Sequence, residues 1–75
     1  MKNEPFMIRQ YGRTELAQRY SPGITPEAAW KKLRLWINYH PLLPRTLRGL
    51  GYEEGRQRVF TPAQVRAIVE AIGEP

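Results

Sequence analysis

Seventy-five residues are too few for two independently folded cores, and a chain of this size buries only about 60% of the surface it exposes when unfolded. Twelve Lys and Arg against seven Asp and Glu leave a net charge of +5, which favours anionic partners, nucleic acid first. The absence of cysteine excludes a disulfide framework and a thiolate metal site. No run approaches the roughly 20 apolar residues of a membrane span and no apolar leader opens the chain, so a cytoplasmic protein with no membrane partner is expected.

In chain order, residues 1–5 (M-K-N-E-P) read as a loose end. The run F-M-I-R-Q-Y predicts a short strand over Phe6–Tyr11 with Phe6 and Ile8 on one side, broken by Gly12. Thr14 can cap a two-turn helix, E-L-A-Q-R-Y, with Leu16, Ala17 and Tyr20 facing inward. Ser21-Pro22-Gly23 is a turn, and Ile24 can staple the start of the next helix.

That helix is the longest periodic segment. Thr25 is its N-cap, Pro26 sits where a missing N–H costs nothing, and Glu27 suits the positive dipole end. Pro41 disfavours helical geometry at His40 and stops the helix near Tyr39. At about 100° per residue Ala29, Trp30, Leu33, Trp36 and Ile37 share an inner face. Lys31, Leu35 and Asn38 point outward, and Lys32, Arg34 and Tyr39 lie on the flanks.

Pro41–Gly51 allows two readings. Pro44 can open a short helix with Leu47 and Leu50 inward, Arg45 and Arg48 outward and Gly51 closing it, or the stretch is an irregular linker. Tyr52–Phe60, Y-E-E-G-R-Q-R-V-F, predicts a hairpin with Gly55 at the positive φ and Arg56 and Arg58 on one strand face. Thr61 with Gln64 forms a capping box, Pro62 follows at the first helical position, and Val65, Ile68, Val69 and Ile72 recur at helical spacing until Gly73. Trp30, Leu33, Trp36, Ile37, Leu16, Val65, Ile68 and Val69 are the expected core.

Few residues suggest catalysis. The one histidine, His40, stands at a helix end, where a histidine usually serves the last carbonyls. Glu53 and Glu54 are adjacent in a loop, more often solvated than an acid/base pair, and no nucleophile has a base. An enzyme, a cofactor or a small-molecule ligand is therefore not expected. The tryptophans could stack bases, yet both fall on the inner face, where packing is the commoner role. The basic residues are more specific, although charged helix faces are usually only solvated. Helix, turn, basic helix, basic hairpin and capped helix is the order of a winged helix-turn-helix, mostly α with a small β-hairpin in a single compact domain. In that fold one helix enters the major groove while the hairpin reaches neighbouring phosphates. The candidate DNA-binding residues are Lys31, Lys32, Arg34, Leu35 and Asn38 on the central helix, Arg13 before the first helix, and Arg56 and Arg58 on the hairpin. Leu35 could remain exposed, touch a thymine methyl or pack under the hairpin.

The motifs E-L-A at Glu15–Ala17 and R-V-F-T-P-A-Q-V at Arg58–Val65 resemble the first helix and the wing-to-helix segment, R-x-[YF]-[ST]-x-x-[DQ]-V, of MerR-type regulators and small excisionases. The resemblance implies winged-helix DNA binding. It departs from MerR proteins where Lys32-Leu33-Arg34-Leu35-Trp36 replaces the usual Arg-Tyr, and where Arg56 takes the place of a glycine, so base readout does not transfer. The long dimerisation helix and effector domain of MerR proteins have no counterpart before Pro75, which makes the excisionase comparison the better one. The whole chain also resembles a small uncharacterised gut-bacterial domain family sharing Y-G-x-x-E-L-A, W-I, G-Q-R-V-F-T-P-x-Q-V and a terminal G-E-P. Double-stranded DNA is the expected partner, with a weak homodimer or cooperative assembly on it left open; docking of an acidic protein on the basic face is the alternative.

Overall fold

Tyr11–Gly12 (β1) finds its partner near the other end of the chain, pairing antiparallel with Val59–Phe60 (β2), Tyr11 opposite Phe60 and Gly12 opposite Val59. The Arg13 N–H donates to the Arg58 carbonyl at 2.9 Å and lengthens the ladder by one bond. Around it stand α1 (Arg13–Tyr20), α2 (Pro26–Tyr39), α3 (Leu43–Gly49) and α4 (Pro62–Ile72). The computed structural model describes residues 6–75; the loose end expected over residues 1–5 lies outside the described residues. The described residues form a small, compact and mostly helical unit with one two-stranded ladder.

The strand expected over Phe6–Tyr11 is confined to its last residue and Gly12. The segment before it folds back instead: the Phe6 ring stacks on Tyr11 at 5.2 Å and the Tyr11 hydroxyl donates to the Met7 carbonyl at 3.0 Å. Thr14 is not the cap of α1. Gly12 holds the N-cap position, and Glu15 reaches back so that its Oε1 accepts the Gly12 N–H at 3.1 Å. Arg9 donates to the other Glu15 oxygen at 3.0 Å. These two contacts, the Arg9 guanidinium first, hold the Glu15 carboxyl below its usual range.

Helix α2 has the expected limits. The Thr25 hydroxyl oxygen accepts the Ala28 N–H at 3.2 Å, and His40 leaves the helix in extended conformation ahead of Pro41. Ile24 is exposed and does not serve as a staple. His40 serves both helices: its backbone N–H closes α2 on the Trp36 and Ile37 carbonyls, and its Nδ1 accepts the N–H groups of Leu42 and Leu43 at the start of α3, each at 3.1 Å. Between Pro41 and Gly51 the helical reading is therefore the correct one. Leu43 and Leu47 are buried, but Leu50 is exposed. Gly51 closes the helix at φ 89° and the Tyr52 N–H returns to the Leu47 carbonyl at 2.9 Å. The turn thus sends Tyr52 inward in place of Leu50.

Tyr52–Phe60 does not pair with itself. Its tip is a turn, with Gly55 at φ 85° and the Glu53 carbonyl accepting from Arg56 and Gln57. The Tyr52 arm is drawn into the core by stacking on Phe60 at 5.1 Å, which leaves the Phe60 arm to pair with β1. Arg56 stands in the turn and Arg58 just before β2, so the strand face they were expected to share does not form. Helix α4 starts as expected, with Thr61 and Gln64 exchanging cap hydrogen bonds. Gln64 is also buried, donating to the Leu50 carbonyl at 3.0 Å and accepting from Gln57 at 2.7 Å. One side chain thus joins the exit of α3, the turn and α4.

The core gathers on Tyr11, Leu16, Leu33, Leu47, Phe60 and Ile68, all at most 1% exposed. Its aromatic centre is Phe60, with Tyr52 and Trp30 against it. Trp36, expected at the centre, is 37% exposed and meets only Tyr20 edge-on among the aromatic rings, at 6.1 Å. Trp30 and Val69 are partly buried at the core's margin.

Candidate nucleic-acid interface

Helix α2 presents two exposed flanks of different chemistry. On one, Lys31, Arg34, Leu35 and Asn38 line a shallow depression of about 280 Å³, with Leu35 55% exposed and uncovered by the turn. Arg34 also lines a broader depression of about 590 Å³ shared with Arg13, Trp30 and Lys31. The hydroxyl residues Thr14 and Thr25 border that depression, and so does Glu27. On the other flank, Lys32 lies over Trp36 with its Nζ 5.5 Å from the ring centroid, beside Tyr39 at 81% exposure. Lys31 and Arg34 thus stand on one side of α2 and Lys32 on the other.

The β1–β2 ladder brings Arg13 to the first flank. Its backbone is fastened to that of Arg58, and its guanidinium sits 5.1 Å from the centre of the Trp30 ring. A cation over an aromatic face is held there by the ring quadrupole. Arg13, Lys31 and Arg34 thus line one depression from the start of α1 to α2, with the Arg58 backbone beside Arg13. Arg56, in the turn, and Arg58 line none of the described depressions.

A third depression, about 250 Å³, lies between α2, α3 and the turn. Arg34, Asn38 and Arg48 supply its donors, Tyr52 and Trp30 are among its walls, and Glu53 and Glu54 stand at its acidic side. The Arg34 Nε donates to Glu54 Oε2 at 3.1 Å, both side chains being about half exposed. Burial raises the Tyr52 hydroxyl pKa above its ordinary value and Glu54 adds to this, while Arg13 and Arg34 pull it down. Of these residues, sequence reasoning passed over Arg48 as a site residue, Trp30 as a support for Arg13, and Glu54 as a partner of Arg34. Arg48 had a local signal as an outward arginine of a short helix. The other two depend on the ladder and the turn and had none.

Among the described residues no helix is long and apolar enough to cross a membrane, and no group of three His, Asp or Glu could hold a metal ion. Residues 7–75 match the model of a family described as a domain of unknown function (DUF4248). No curated protein and no solved structure matches the chain, and the resemblance to MerR-type regulators and excisionases gains no support from these comparisons.

Proposed function

We propose that this chain, which belongs to the DUF4248 family, binds double-stranded DNA through the Lys31–Arg34–Asn38 flank of α2. The observation that supports this most is a row of cations from two segments, Arg13 at the start of α1 and Lys31 and Arg34 on α2, lining one depression, with the Arg58 backbone bonded to that of Arg13. A polyanion with regularly spaced phosphates is the partner that uses such a row, because each neutralised phosphate releases condensed counterions. In this reading the module works as a winged helix-turn-helix in which the β1–β2 ladder and the turn before it stand in for the wing. Helix α2 enters the major groove, with Asn38 suited to adenine. Arg13 and Arg58 hold the phosphates and fix register without reading sequence.

A second reading has its own observation. Trp36 and Tyr39 are exposed together along α2 beside Lys32, and an apolar helix face with a cation also suits an acidic protein segment. Duplex DNA of random sequence, titrated at two salt concentrations, separates the two. DNA binding weakens steeply with salt whatever the sequence, whereas a module for one acidic protein has little duplex affinity. Arg58→Ala should weaken all duplexes alike and lower the salt slope by about one unit. Asn38→Ala should cost about 1–3 kcal/mol on a preferred site and much less on random DNA.

A further inference from the structure

We infer that the depression between α2, α3 and the turn is a phosphate subsite in which Arg34 and Arg48 are the donors and Glu54 is a built-in competitor. This rests on the DNA reading above. Arg34 and Arg48 line the same depression from two different helices, and Asn38 adds an amide. Arg9–Glu15 and Arg34–Glu54 are the ion pairs among the described residues, so Arg48 is left there without a carboxylate partner. Arg34, in contrast, already holds an oxyanion: Glu54 Oε2 sits 3.1 Å from its Nε, where a phosphate oxygen would accept the same hydrogen bond.

The turn makes Glu54 displaceable without disturbing the core. Its neighbour Gly55 takes the positive φ, the Glu53 carbonyl closes the turn, and Gln57 anchors its far side to Gln64. Glu54 itself is exposed and has no other hydrogen bond among the described residues. An exposed pair of this kind contributes little, so a phosphate held jointly by Arg34 and Arg48 outcompetes it. Glu53 is the internal control, since it lines the same depression without an ion-pair partner.

The test compares wild type, Glu54→Gln, Glu53→Gln and Arg48→Ala on one random duplex over a series of salt concentrations, and repeats Glu54→Gln in an Arg34→Ala background. Glu54→Gln should tighten binding roughly three- to fivefold at low salt, the scale of an exposed ion pair, and Glu53→Gln clearly less. Arg48→Ala should lower the salt slope by about one unit. The gain from Glu54→Gln should shrink when Arg34 is absent. Equal gains from the two glutamine variants, or a gain that survives Arg34→Ala, would reduce Glu54 to general repulsion and overturn the inference while leaving DNA binding intact. No duplex binding by any variant would overturn the DNA reading and the subsite together.

Discussion

Trp30 and Trp36 stand on the same side of the same helix, yet they belong to different regions of the molecule. Trp30 is packed against Phe60 and carries Arg13 above its ring. Trp36 is 37% exposed, with Tyr20 at its edge and Lys32 above it. The difference comes from what lies opposite. The β1–β2 ladder delivers Phe60 and Arg13 to the first half of α2, and no described strand covers the second half. A helical face is buried only as far as another element reaches along it. On the ladder side that burial also sets a row of arginines in place; on the Trp36 side it leaves an apolar strip with a single lysine.

The contrast can be broken most severely at Phe60. Phe60→Ala removes the ring shared by Trp30 and Tyr52 and should cost about 3–5 kcal/mol, most of the stability of a domain this small. Chemical denaturation measures it, and an effect under about 1 kcal/mol would mean that the ladder does not organise the core. Gln64→Leu comes next. It leaves the Leu50 carbonyl and the Thr61 N–H without their side-chain partner and should cost about 1–3 kcal/mol.

Trp36→Ala should cost roughly 1–2 kcal/mol, well below a fully buried aromatic, and Leu35→Ala under about 1 kcal/mol. Sedimentation of Leu35→Ala beside wild type sharpens the comparison further: a change in assembly would show that this exposed leucine meets a second copy. The smallest effect is electrostatic. Arg9 and the Gly12 N–H lower the Glu15 pKa in the folded state. Their stabilisation is therefore present above the ordinary glutamate value of about 4.3 and fades as pH falls through the lower folded one. Glu15→Gln should flatten that acid limb slightly and leave stability at neutral pH nearly unchanged, because the pair is exposed.

Helices α2 and α4 were legible because their boundaries are local. Thr25-Pro26, Pro41, Thr61-Pro62 and Gly73 each act within one turn of their own position. Which arm of Tyr52–Phe60 would pair was not legible, since Tyr11 and Gly12 lie far from Val59 and Phe60 in sequence and two-residue strands leave no alternation to read. The misplacement of Trp36 follows from the same gap. Helical periodicity assigns a residue to a side but says nothing about how far the opposing layer extends. His40 and Gln64 each looked like ordinary cap residues. Their second roles, toward α3 and toward the turn, rest on tertiary neighbours. For the candidate site, the outward direction of Lys31, Leu35 and Asn38 and the placing of Lys32 and Arg34 on the flanks could be read from spacing alone. The junction of Arg13 with Arg58 could not.

The most direct test of which flank of α2 meets a nucleic acid is a ¹H–¹⁵N NMR titration of the wild-type protein with a short random duplex at low salt. The backbone signals of Lys31, Arg34, Leu35 and Asn38, together with Arg13 and Arg58 across the ladder, should move first and revert as salt is added, while the Trp36 indole N–H stays in place. Shifts concentrated on Trp36, Tyr39 and Lys32, or a spectrum that the duplex leaves unchanged, would contradict it.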